Sequence, residues 1–249
     1  MADDAPPPGR LFLGTAGWSL PREQWPHFPA DGTHLQRYAG VFGAAEIDTS
    51  FYRPHQPKTY ARWGDSTPAG FRFAVKLPRE ITHERALVDA EAPLDAFMAQ
   101  VGALGERLGC LLVQLAPRLA FEPATVDAFL HALRQRHGGG IALEPRHASW
   151  FDGAADALVA RHRVARVLAH PGLHAGGDAP GGWPGLVYLR LHGAPRIYYS
   201  AYAQADLVAW AARVRSALDS GADCWCVFDN TAHGHAIPDA MALARLLAR

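Results

Sequence analysis

Cysteine is scarce in this chain: three residues among 249, Cys110, Cys224 and Cys226. An odd, sparse set makes no disulfide framework and points to a reducing compartment. The Cys224-x-Cys226 pair is expected to send its thiols to opposite faces of a strand, and no metal or redox role is assigned to it. Surplus charge is also lacking, with 24 lysines plus arginines against 24 aspartates plus glutamates. A chain that spreads over nucleic acid or an anionic membrane usually carries a basic excess. No extended nucleic-acid surface is therefore expected, and any anion recognition has to be local. No apolar run approaches the roughly 18 residues of a spanning helix, so no membrane partner is expected. The opening MADDAPPPGR has no apolar centre and does not read as a signal peptide. Residues 1–10 read as a flexible N-terminal tail, and the protein as cytoplasmic. A dinucleotide fingerprint is missing as well, because GTAGW lacks the required glycine spacing.

What is present is a rhythm. Eight short apolar runs begin at residues 11, 44, 71, 110, 141, 164, 186 and 223, most of them bounded by Gly or Pro as strands are. Helical patterns lie between them. Thr33-x-x-Gln36 is a capping-box signature opening a helix over 33–42. Leu94, Phe97, Met98, Val101, Leu104 and Leu108 recur at helical spacing, which predicts a helix over 94–108. Further helices are predicted over 123–136, 204–219 and 237–248, and shorter ones near 58–65 and 154–161. Only PGLHAGGDAPGGWPG, between the sixth and seventh runs, reads as an irregular Gly/Pro-rich segment. Strand then helix, repeated eight times, is the pattern of an α/β fold of the (β/α)8 TIM-type barrel, a single domain over 11–249. An open doubly wound sheet is the runner-up and lacks its glycine turn.

In a barrel, alternate strand residues face the axis, and the large aliphatics face the helices. That phase turns Glu46, Asp48 and Ser50 inward on the second strand and Arg72, Ala74 and Lys76 on the third. Gln114, Glu144, and the trio Tyr188, Arg190 and His192 also turn inward. The phases of the first, sixth and eighth strands stay open. Three carboxylates, at 46, 48 and 144, then meet three cations, at 72, 76 and 190, and buried charge must be paired. Such a lattice could be structural. Yet Lys76, Gln114, Glu144, Arg190 and His192 lie near C-terminal strand ends, the rim that carries chemistry in this architecture.

The segments GTAGWS, EIDTSFYRPH, FAVKLPREITHE, LGCLLVQLAP, EPRHASW, VYLRLHG and WCVFDNTAHGHA together resemble the landmarks of the YecE-like proteins, domain of unknown function family seventy-two. The resemblance spans roughly residues 11–247. It implies a TIM-type barrel and no particular reaction. Two places depart from the family pattern. The sixth strand ends in Ala169-His170-Pro171, where an aspartate is expected. The eighth ends in Asp229-Asn230-Thr231, where paired asparagines and an acidic residue are expected.

The residues suggest an enzyme acting by general acid/base chemistry on a small phosphate- or carboxylate-bearing substrate. Glu144 or Asp48 serves as base and His192 as acid or hydrogen-bond donor, while Lys76 joins them as a catalytic candidate. Arg146 and Arg190 match anionic oxygens. Gln114, Tyr198, Tyr199, Trp18, Asn230 and Arg79 complete the expected substrate-binding set. A divalent-metal hydrolase or isomerase is an alternative, with Glu144, His147, Asp229 and His233 as ligands. The inward cations would repel a metal, so no cofactor is predicted. A non-catalytic nucleotide or small-anion binding protein is the other alternative. Oligomeric state is not legible.

Overall fold

Period-two alternation decides the architecture. The computed structural model describes residues 7–248. Five strands come first: β1 (Leu11–Ala16), β2 (Ala44–Ile47), β3 (Arg72–Lys76), β4 (Leu108–Gln114) and β5 (Gly140–Glu144). Two short pieces follow, β6 (Ala165–Arg166) and β7 (Leu168–His170), then β8 (Gly181–Gly182), β9 (Leu186–Leu191) and β10 (Asp223–Phe228). Neighbours run in the order β7-β9-β10-β1-β2-β3-β4-β5-β6-β8. The sixth predicted strand is the break in that order. Its first half, β6, pairs with β5, and its second half, β7, pairs with β9. Between them the N–H of Val167 donates to Leu143 O at 2.9 Å. One run of chain thus links both flanks, and the parallel strands form a TIM-type barrel.

The helices are α1 (His34–Ala39), α2 (Thr49–Tyr52), α3 (Pro57–Asp65), α4 (Glu91–Val101), α5 (Pro123–Arg136), α6 (Gly153–Arg161), α7 (Gln204–Asp219) and α8 (Ala236–Leu247). The Thr33–Gln36 capping box forms at the start of α1. The helix expected over 94–108 stops at Val101 and continues as a 3-10 turn to Arg107, because Gly105 takes φ 55°. The Gly/Pro-rich segment contributes no helix. It is gathered by buried Arg166, which ion-pairs with Asp156 at 2.7 Å and donates to the Gly176 and Ala179 carbonyls. Its only strand, β8, pairs antiparallel with β6. Of the expected tail, residues 1–6 lie outside the described residues. Gly9 donates its N–H to Leu218 O at 2.9 Å, and Arg10 pairs with Asp223, so both are tied to the barrel. No helix among the described residues is long and apolar enough to cross a membrane.

Two buried layers result. Leu13, Ile47, Phe73, Val75, Leu111, Val113, Ile141, Leu143, Leu189 and Leu191 pack outward against the helices. Phe12, Ala44, Ala74, Cys110, Leu112, Ala142, Ala165, Tyr188, Trp225 and Val227 fill the lumen. The phases left open are resolved by this division: β1 turns Phe12 inward, and β10 turns Trp225 and Val227 inward. Two expectations are corrected. Cys224 and Cys226 share the helix-facing layer, since residues i and i+2 of a strand lie on one face. Arg72 belongs to no carboxylate network. It stands at the N-terminal end of β3, where its guanidinium donates to the Ala69 and Phe71 carbonyls.

Candidate active site at the C-terminal mouth

Arg190, one residue before the end of β9, is the hub. Its guanidinium reaches four carboxylates. Nη2 is 2.6 Å from Glu46, 3.0 Å from Asp48 and 3.1 Å from Asp229, while Nη1 is 3.0 Å from Glu144. Burial alone would ease the proton off this guanidinium, but the surrounding acids, Glu46 foremost, hold it far more tightly than usual. Arg146 leaves β5 and pairs with Glu144 from the other side. Burial alone would also raise Glu144, yet Arg190 and Arg146 outweigh it and keep this carboxyl well below the ordinary range.

Glu46 goes the other way. It has no solvent exposure, and it shares Arg190 with three other acids. Burial first, then Asp48 and Asp229, push its carboxyl up to about 8 despite the pull of Arg190. Tyr188 donates its phenol to Glu46 at 2.6 Å. His192 lies between two acids, with Nδ1 3.0 Å from Asp229 and Nε2 3.6 Å from Glu144. Burial would discharge the ring, but those two acids, Asp229 foremost, override it and favour the imidazolium. Asp229 is held below its usual range because Arg190 and His192 outweigh its own burial.

Around this lattice the mouth is divided. On the β1, β2 and β10 side lies a cavity of about 490 Å³, walled by Trp18, Trp63, His34 and His55 and floored by Glu46, Asp48 and Asp229. Asp48 Oδ1 is buried there with no hydrogen-bond partner. Lys76 Nζ lies 4.0 Å from it. On the β3, β4 and β5 side the chain turns are basic. Burial and the positive field of Lys76, Arg79, Arg118 and Arg146 together lower His83 below its ordinary value. Lys76 Nζ lies 4.3 Å over the Phe51 ring, and Arg146 Nε is buried without a partner.

The expected residues are sorted by this geometry. Asp48, Lys76, Glu144, Arg146, Arg190 and His192 converge. Gln114 is half-buried at the end of β4, in register with Glu144. Tyr198 stands edge-on to His192, with centroids 5.4 Å apart. Trp18 forms the cavity wall against Trp63. Tyr199 packs instead on Arg196 and His233. Asn230 spends its amide on the Ser200 carbonyl and on Asp239. Arg79 is exposed and 3.6 Å from Glu84. Of the alternative metal ligands, His147 bonds Ser149 and His233 packs on Tyr199. Among the described residues, no group of three or more His, Cys, Asp or Glu is arranged to hold a metal ion.

Sequence reasoning missed Asp229 as a partner of Arg190, because residues 224–228, CWCVF, are apolar on both faces and hide the phase of the strand. His34, His55 and Trp63 escaped notice, as did His83 and Arg118. They stand on turns and helices, which strand alternation does not address.

The family model described as "Protein of unknown function DUF72" matches residues 12–249. The UPF0759 protein YecE of Escherichia coli K12 is 30% identical over 142 residues, which are 57% of this chain and 50% of the relative. The UPF0759 protein YunF of Bacillus subtilis is 29% identical over 148 residues, 52% of its length. The chain thus spans about half the length of these relatives. A crystal structure of a DUF72 family protein from Enterococcus faecalis superimposes with a TM-score of 0.78 at 20% identity, covering 96% of each chain. A second, from Thermotoga maritima, gives 0.77 at 22% identity, covering 96% of this chain and 100% of the other. At that identity the likeness shows the fold alone.

Proposed function

The chain belongs to the DUF72 family, and from the geometry of its C-terminal mouth we propose an enzyme that performs general acid/base chemistry on a small substrate carrying a phosphate or carboxylate. The observation that carries this reading is the pairing of an unsatisfied carboxylate oxygen with unsatisfied cations across one opening. Asp48 Oδ2 is fixed by Arg190 at 3.0 Å, while Oδ1 is left without a hydrogen bond beside the cavity. A carboxylate oriented by one oxygen and left without a hydrogen bond at the other suits a general base. Arg146 Nε has no partner, and the nearest acid to Lys76 is 4.0 Å away. Both cations keep donors for an anionic group, and the charge of Arg79 and Arg118 favours its approach.

The remaining groups hold this arrangement. Glu144, paired to two arginines, fixes Arg146 and Arg190 rather than exchanging protons. The His192–Asp229 pair borders the cavity through Asp229 and is the proton-donating side of the reaction. Trp18 and Trp63 shield the reacting end from water. No step runs through a metal ion, since Glu144 and Asp229 already give oxygens to Arg190. A binding protein without turnover is the second reading, favoured by the same basic arc, which recognises an anion whether or not it reacts.

The test is a turnover screen over phosphate- and carboxylate-bearing small molecules, followed by two variants. Asp48→Asn is expected to lower kcat by about 10²–10⁴-fold with KM little changed. Lys76→Met is expected mainly to raise KM. Unchanged turnover in Asp48→Asn would sink the assignment of the base. Anion binding without turnover in the native protein would leave the second reading.

A further inference from the structure

The opposite mouth of the barrel holds a second cavity, of about 360 Å³, within the range of small-molecule pockets. Its floor is aromatic. The Trp225 ring stacks on Phe12 at 4.7 Å and lies parallel to Tyr188 at 5.9 Å. Gly109 permits this, because a Cβ there would stand 2.7 Å from the Trp225 ring. Half-buried Trp183 lines one side.

The rim is cationic, with Arg10, Arg72, Arg134 and Arg163 all in the lining. Asp223 is the one carboxylate there, and Arg10 engages both its oxygens, at 3.2 and 2.6 Å. The other three arginines make no ion pair among the described residues. Arg72 donates to the Ala69 and Phe71 carbonyls. Arg134 donates to the carbonyls of His162, His137, Gly139 and Arg163. Those carbonyls satisfy donors without neutralising charge, so positive charge accumulates over an apolar floor. Burial, together with the nearby Arg163, makes the Arg134 cation less favourable than usual.

We propose that this N-terminal mouth binds an anion attached to a planar ring, the chemistry of a nucleoside monophosphate. The ring packs on Trp183, and the phosphate meets Arg72 and Arg163, whose forks match its oxygens, within the field of Arg134, whose own donors are spent on carbonyls. The site is separate from the one proposed for catalysis and shares no residue with it.

Calorimetric titration of the full chain with adenosine monophosphate, adenosine and inorganic phosphate tests the inference. The monophosphate is expected to bind at least ~10-fold more tightly than either fragment, because one molecule engages both the ring and the anion positions. Trp183→Ala and Arg163→Gln, both at solvent-accessible positions, are each expected to weaken it by ~5-fold or more. Lys76→Met, at the other mouth, is expected to leave it unchanged. Equal affinity for the nucleotide and one fragment, or no saturable heat at millimolar ligand, overturns the proposal. Loss of binding in Lys76→Met with retention in Trp183→Ala also overturns it, and places the nucleotide in the C-terminal mouth.

Discussion

The lumen of this barrel is two different materials. Toward the N-terminal end it is an aromatic plug of Phe12, Trp225 and Tyr188 set among alanines, Cys110 and Leu112. Toward the C-terminal end it is an ionic lattice in which one guanidinium serves four carboxylates. Both are buried, but burial acts on them with opposite sign. Apolar side chains gain by leaving water and need no particular partner. Charges lose by leaving water and are tolerated only when several partners are already in place. The plug can therefore be stable alone, whereas the lattice stands or falls as a unit. A fold that keeps such a lattice beside a 490 Å³ cavity keeps it where a ligand can rearrange it.

The sharpest way to break the contrast is Arg190→Met. It leaves Glu46, Asp48, Glu144 and Asp229 without their common cation, and a loss of about 3–5 kcal/mol or more is expected in denaturant unfolding. A loss under ~1 kcal/mol would mean that the lattice is already dispensable. In the plug, Leu112→Ala removes fully buried apolar volume and is expected to cost about 3 kcal/mol. The two differ in pH response, which is the more telling readout. The cost of Leu112→Ala should be flat with pH, and that of Arg190→Met should not.

A gentler probe is Glu46→Gln. The folded carboxyl is pushed up to about 8 from its ordinary value of 4.5. Between those values the folded state keeps a proton that the unfolded chain has released. Stability from this group is therefore present at low pH and lost as pH rises toward 8. His192, also raised, contributes with the same sign, whereas Glu144 and Asp229, both lowered, lose their contribution as pH falls. Glutamine is neutral throughout, so the variant should gain on the native protein as pH rises from 5 to 8. The slope should be at most ~1.4 kcal/mol per pH unit. A difference that does not change with pH would show that Glu46 is ionised in the fold.

Much of this was legible residue by residue. Glu144, Arg190 and His192 were placed inward by counting alternate positions on strands whose aliphatics declare the outer face. α5 and α7 begin and end at the predicted residues because stripe and breaker agree. Alternation is silent where one face of a strand does not differ from the other. Asp229 is named only as an alternative metal ligand, because the run before it hides the phase of the strand, and Arg72 has the inward direction but stands at the end of the lumen away from the carboxylates. Alternation reports which way a side chain points and says nothing of its height along the axis.

By itself, then, the order of amino acids determined the secondary structure, the barrel and the inward set of charges, since all three follow from local periodicity and from the aversion of apolar groups for water. Only the tertiary structure decided which charges share a partner, that the C-terminal mouth is acidic and aromatic on one side and basic on the other, and that arginines crowd the far end. Those are distances between residues far apart in the chain. Electrostatic energy depends on such distances and on the water removed around them, and neither is written in any single segment.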